Sequence, residues 1–205
     1  MISPQTLTLT GQHMQLEPLS LDHVHQLVVA ANEDRSSYGW TPVPETAGAM
    51  ISFVSNLLDE SEAKRVIPFA QRRLSDGRVV GCTRLLEIRY WTGRDVPDEV
   101  EIGGTWLAAS AQRSAVNTEA KLLLMTQAFE GWDIRRLAIC TDARNEQSRR
   151  AIERTGAVFE GILRNHRASA VAGEIGGPRD TAMHSIIQTE WPAVKAGLLA
   201  RLSAG

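Results

Sequence analysis

The chain carries little of what would tie it to a metal, a membrane or a nucleic acid. Cysteine is scarce: Cys82 and Cys140 are the two present, both inside apolar, strand-like runs, where a reduced core thiol is expected rather than a disulfide. The five histidines, His13, His23, His25, His166 and His184, fall into no Cys-x-x-Cys or His-x3-His spacing, so no metal is expected. A basic field is missing too. The 22 Lys and Arg stand against 24 Asp and Glu, a formal net charge of −2, and direct nucleic-acid binding is not expected. No apolar stretch approaches the length of a membrane span, and no basic segment followed by an apolar run opens the sequence. Neither membrane association nor export is therefore expected, and the expected address is the cytoplasm.

What is present is ordinary globular material, with 43% hydrophobic and 22% charged residues in 205, enough for one compact α/β domain with a sizeable core. Residues 7–10 and 14–18 alternate polar and apolar around Gly11 and predict a strand broken by a turn. Apolar spacing of three and four predicts helices at about 22–32 and 45–63. Between them, residues 36–42 read as a loop with two large aromatics, Tyr38 and Trp40. Runs 66–72 and 79–90 around Ser75-Asp76-Gly77 predict a β-hairpin. A strand at 99–107, a helix at 117–132, a strand at 136–141, a helix at 145–155 ended by Gly156, strands at 159–168 and 181–187, and a last helix opened by Thr189-Glu190-Trp191-Pro192 complete the pattern. The expected order is β-α-α-β-β-β-α-β-α-β-β-α, with a glycine-rich loop at 171–178.

From Glu101 onward a series of short motifs appears in fixed order. They are EIGGTWL at 101–107, QRSAVNTEAK at 112–121, AFE at 128–130, TDARNEQS at 141–148, Ala151-Ile152, Gly156-Ala157, EGILR at 160–164, RDT at 179–181 and EWP at 190–192. Together they resemble the GNAT superfamily of N-acetyltransferases, and within it the RimJ and RimL ribosomal-protein N-terminal acetyltransferases. The resemblance covers roughly half of the chain, 101–194. It implies one α/β (α+β) GNAT-like domain over 1–205, with a mixed, mostly antiparallel, twisted sheet of about six to seven strands, flanked by helices and splayed at the cofactor site. Within that domain, residues 1–98 would supply N-terminal strands, helices and acceptor-side loops, 99–168 the acyl-CoA-binding core, and 169–205 a C-terminal strand and helix.

The resemblance also implies chemistry. Acetyl-CoA would be the co-substrate and an amine the acceptor, with direct attack in a ternary complex. Gln112, Arg113, Ser114, Ala115, Val116, Asn117 and Thr118 occupy the pyrophosphate loop, between a predicted strand and a predicted helix whose N-terminal N–H groups suit an anion. The family pattern there is Gln/Arg-x-x-Gly-x-Gly/Ala. Ala115 and Asn117 stand at its glycine positions, which calls for a different local turn. The Thr105 backbone N–H is implied to bind the thioester carbonyl, Leu107 to hold the pantetheine arm with Trp106 beside it, and Gly103 and Gly104 to permit close approach. Glu101 is the expected general base, because an α-amine of pKa about 8 must lose a proton before attack. Asn145 suits a helix N-cap as well as the site, and the residue matching Ser148 is implied to protonate the leaving thiolate. Arg149, Arg150 and Arg154 form a basic helix surface, Arg150 and Arg154 one turn apart, and are the candidates for the ribose 3′-phosphate. Tyr38, Trp40, Arg164 and His166 are expected to border the acceptor, and an acceptor rim with Arg164 and Arg167 favours acidic acceptors. A ribosomal-protein N-terminus is the first expectation for the acceptor. A small amine remains open, as does a non-catalytic acyl-CoA-binding domain, and the assembly is expected to be a monomer or homodimer.

Overall fold

The computed structural model describes residues 7–204. The strands are β1 (Leu9–Thr10), β2 (Met14–Pro18), β3 (Ile67–Arg73), β4 (Val79–Arg89), β5 (Glu99–Leu107), β6 (Arg136–Asp142), β7 (Val158–Ala168) and β8 (Pro178–Ile187). The helices are α1 (Val24–Ala31), α2 (Ala47–Glu62), α3 (Ala115–Thr126), α4 (Glu146–Glu153) and α5 (Trp191–Ala204). The predicted succession is present, with the first strand split into two short pieces about Gly11. That split makes eight strands where about six to seven were expected. They form one sheet in the order β1-β2-β3-β4-β5-β6-β8-β7. Every neighbouring pair is antiparallel except β5 and β6.

Local chemistry explains most boundaries. In α2, Met50, Val54 and Leu57 fall on one stripe and are buried, and the Thr46 hydroxyl accepts a hydrogen bond from the Ala49 N–H at 3.2 Å to start the helix. The Asp76-Gly77 reversal between β3 and β4 places Gly77 at φ +69, a conformation that glycine adopts without a steric penalty. Helix α3 begins two residues before the predicted start, because the Ser114 hydroxyl caps it by accepting from the Val116 N–H at 3.3 Å. It also ends earlier than predicted. The tail of the apolar pattern forms one π-helical turn, Gln127–Gly131, which still buries Ala128 and Phe129.

Two features place the functional elements. The parallel pairing of β5 with β6 runs only from Glu99 to Glu101 against Arg136 to Ala138. Beyond those residues the strands part while each continues toward its C-terminal end. The second feature is a clamp on α3. Buried Glu119 accepts hydrogen bonds from the backbone N–H groups of Gln12, His13 and Met14 at 2.7, 2.7 and 2.8 Å, fastening the β1–β2 turn onto the helix. A side chain at Gly11 would collide with that carboxylate, since its Cβ would lie 2.2 Å from Glu119 Cδ.

Candidate active site

Where β5 and β6 part, a cleft opens with two contiguous lobes of about 410 and 480 Å³, the size of a small-molecule site. Trp40, Thr105, Asn117, Lys121, Asn145 and Ser148 line both lobes, so the lobes meet between β5, α3 and the start of α4.

The second lobe faces the loop expected to hold the donor. Gln112, Arg113, Ser114, Asn117 and Thr118 line it together with Trp106 and Leu107. Ala115 and Val116 do not: Val116 is buried in the core, and both border a shallow groove on the other side of the loop. The altered glycine positions are resolved by the turn itself. Arg113 takes the left-handed conformation, φ +57, and Ala115 and Asn117 are already helical, so neither position needs the freedom of glycine. Ser114, Asn117 and Thr118 bring the start of α3 to the lobe. Buried Asn117 Oδ1 has no hydrogen-bond partner among the described residues; an unsatisfied buried acceptor in a cleft wall is a place for a ligand N–H.

Two arrangements at this lobe differ from expectation. Arg150 does not reach it: the side chain is exposed and lies 3.5 Å from Glu146 on its own helix. Arg154, named with it as a candidate, does line the lobe, with Arg201 of α5. Tyr38 belongs here too, rather than to the acceptor side. Its hydroxyl donates to the Leu107 carbonyl at 2.9 Å and its ring meets Trp106 edge-on, so it braces the end of β5.

The first lobe reaches toward β7 and β8, where the acceptor is expected, and ion pairs dominate it. Glu101 is 3% exposed, and Arg167 grips both of its carboxylate oxygens, at 3.0 and 2.6 Å. The Cys140 thiol donates to the same carboxylate at 3.1 Å. Burial, and then the charge of Glu101, push that thiol up to about 12. Glu101 therefore lines the cleft as expected, but as the fixed half of a bidentate pair rather than as a free base. Gly103 and Gly104 form a bulge. Cys82 pairs with Trp106 and Arg84 with Gly103, which leaves one extra residue on β5 and interrupts the alternation from Glu101 to Thr105. Gly104 has φ +57, and the Arg84 guanidinium lies against its α-carbon, where an added Cβ would be 2.6 Å from Cζ.

Arg164 and His166 stand outside the cleft lining. Arg164 is exposed on edge strand β7, beside Asn165 and Asp180 in a shallow groove. His166 is half-buried, its Nδ1 unpartnered, and burial followed by the nearby Arg167 charge lowers its pKa. Strand alternation explains the outcome, since the bulge between Leu163 and Arg167 turns Arg167 inward. Asn145 does cap α4, its Oδ1 accepting from the Ser148 N–H at 3.0 Å. Lys121 is the lining residue that the sequence patterns leave out. It is 7% exposed, faces the junction of the lobes and donates one hydrogen bond, to Thr105 Oγ1 at 3.0 Å. Its place one turn after Asn117 on α3 was the available signal.

A sheet parted between two parallel strands, with a capped helix at one end of the gap, is the arrangement that the resemblance implied. Residues 13–158 match the acetyltransferase (GNAT) domain family. The chain belongs to that family. Among solved structures, it aligns with a GCN5-related N-acetyltransferase from Brucella melitensis at 29% identity and TM-score 0.84, over 98% of this chain and 87% of the other. A provisionally named acetyltransferase from T. thermophilus aligns at 33% identity and TM-score 0.78, over 95% and 96%. A curated relative, the provisionally named ribosomal N-acetyltransferase YdaF of Bacillus subtilis (strain 168), is 33% identical over 92 residues, 45% of this chain and 48% of that protein. The chain thus spans about half the length of the curated relative it matches.

Proposed function

We propose that the protein transfers an acetyl group from acetyl-CoA to an amine, and that the acceptor is the α-amine of a protein N-terminus. The observation that carries this is the continuity of the two lobes at Thr105, where β5 has left β6. A thioester lying there would have a phosphate-compatible helix end on one side and an open, charged chamber on the other. The donor lobe fits acetyl-CoA: the first turn of α3 offers oriented N–H groups, Arg113, Arg154 and Arg201 offer cations, and Asn117 Oδ1 offers an acceptor. Ser148 lines both lobes and is the donor proposed for the leaving sulfur. The backbone N–H of Thr105 is the donor proposed for the developing oxyanion.

The protein-terminus acceptor draws on the name of the YdaF relative. The site adds a condition to it. Arg84 and Arg179 line the acceptor lobe, and neither has a carboxylate within 4.0 Å among the described residues. Arg167, by contrast, is neutralised by Glu101. Two uncompensated guanidinium groups favour an acceptor that carries a negative charge close to its amine. Thiol release should therefore be fastest with peptides whose second or third residue is acidic, slower with neutral peptides, and slowest with polyamines. Preferred turnover of a polyamine would refute the acceptor assignment, and absence of thiol release with every amine would refute the transfer reading.

A further inference from the structure

Glu101, the carboxylate on β5 expected to take the proton of the attacking amine, is occupied. Both its oxygens are held by Arg167, and the Cys140 thiol adds a third donor. Lys121 presents the opposite situation. It projects from α3 into the junction of the two lobes, it is buried, and no carboxylate lies within 4.0 Å of it among the described residues. Its one hydrogen bond goes to the hydroxyl of Thr105, which also shares a 2.7 Å contact with the Thr83 hydroxyl. One turn back on the same helix face, Asn117 Oδ1 is buried without a partner. This stretch of α3 is thus a polar wall whose groups are only partly satisfied by the protein itself.

We infer that Lys121 is a further catalytic residue, the base that deprotonates the acceptor amine at the thioester. The inference rests on the acetyltransferase reading given above. Its location beside Thr105, shared by both lobes, lets it face a nitrogen entering from the acceptor side. The charged groups around that side are Arg84 from β4, Glu101 from β5, Asp142 from β6, Arg167 from β7 and Arg179 from β8. On the donor side stand Arg113 before α3, Arg154 after α4 and Arg201 of α5. Glu101 and Asp142 are each held by an arginine, Arg167 and Arg144 respectively, so no free carboxylate holds Lys121 in its charged form. Burial lowers it to about 7, and near neutral pH a substantial fraction is the uncharged amine, the form a base requires.

The proton and electron accounts close without any outside reagent. Uncharged Lys121 takes one proton from the acceptor ammonium. The freed nitrogen lone pair forms the C–N bond to the thioester carbonyl carbon while the C–S bond breaks and its electron pair leaves on sulfur. The second proton lost by that nitrogen goes to the thiolate, with Ser148 as the donor beside it, and Lys121 returns its proton to water.

The test uses the full chain, acetyl-CoA and the best acidic peptide. Lys121→Arg keeps a positive charge and a donor to Thr105 but cannot deprotonate. It should lower kcat by about 100-fold or more while the Kd for acetyl-CoA, read by calorimetry, stays within about threefold. Wild-type kcat/KM should rise with pH through a limb near 7, and in the variant that limb should move to the acceptor amine's own value of about 8. Lys121→Met, read for fold by its circular dichroism, should show the same loss if arginine is too large for the site. Near-wild-type kcat in either variant, or an unmoved limb in both, would overturn the assignment. So would an acetyl group found covalently on Lys121 that is passed on when peptide is added, because the residue would then be a nucleophile. A wild-type protein that binds acetyl-CoA and releases no thiol with any acceptor sinks the transfer reading and the assignment together. An active wild type with an equally active Lys121→Arg variant sinks the assignment alone.

Discussion

The two lobes of the cleft satisfy their charges in opposite ways. On the acceptor side, the buried acids are each held by an arginine: Glu101 by Arg167 across 66 positions of sequence, and Asp142 by Arg144 two residues on. On the donor side the cations, Arg113, Arg154 and Arg201, are exposed, and no carboxylate among the described residues lines the lobe beside them. The acids of the acceptor lobe are therefore neutralised within the protein, which leaves Arg84 and Arg179 as its free charges, while the donor lobe presents groups that complete their pairing only with an anion. Lys121 stands between them and belongs to neither pattern, since it is buried like the first group and unpaired like the second.

That difference predicts where mutation will disturb the fold and where it will disturb binding. Lys121 should give the largest effect. In the unfolded chain its pKa is the ordinary 10.5, and burial lowers it to about 7 in the folded protein, so between those values the unfolded state binds the extra proton. Stability contributed at this position must then rise with pH across the window from about 7 to about 10.5, and below it the folded state bears the whole penalty of burying an ammonium. Lys121→Met should stabilise the protein at pH 6 by on the order of 4 kcal/mol. The gain should fade as pH rises through that window, as urea titrations at several pH values would show. A gain independent of pH would mean that packing rather than charge sets it. Next in size is Arg167→Ala, which strands a buried carboxylate and should cost about 3 kcal/mol or more. Replacing both partners together, as Glu101→Leu with Arg167→Met, should recover much of that loss. If the single variant were as stable as wild type, the acceptor lobe would not be the stabilised half.

Sequence patterns carried the strand and helix succession because periodicity is a local property, and each element here buries one face or stripe of its own. They also carried the donor loop, since a strand, a turn and a capped helix within about twenty residues make a local motif. Arg113 shows the limit even there: the residue in the left-handed conformation is the one before Ser114, whereas attention falls on the missing glycines at Ala115 and Asn117. The acceptor lobe was far less legible. Its pairs join β5 to β7 and β4 to the bulge of β5, and no local spacing announces a contact made through tertiary structure. Arg164 and Arg167 look equivalent along the chain, but the irregular register of β7 exposes one and turns the other, half-buried, onto Glu101. Arg150 and Arg154 differ by one helical turn, enough to send one back to Glu146 and the other to the cleft.

The contact of Gly104 with Arg84 offers a finer probe of the same division. A methyl group there meets two obstacles, the left-handed backbone at φ +57 and the guanidinium within 2.6 Å of the new Cβ. The backbone term alone should cost about 1–2 kcal/mol, and the arginine, being the end of a flexible side chain, should swing away rather than resist. Gly104→Ala should accordingly fold with a modest drop in Tm and bind acetyl-CoA with little change, because the donor lobe keeps its helix end and its cations. What it should lose is the preference for acidic peptides, as a rise in their KM toward that of neutral ones. An equal loss for both peptide classes would place Arg84 at the thioester instead of at the acceptor's charge, and the division between a pairing lobe and a binding lobe would have to be redrawn around the bulge.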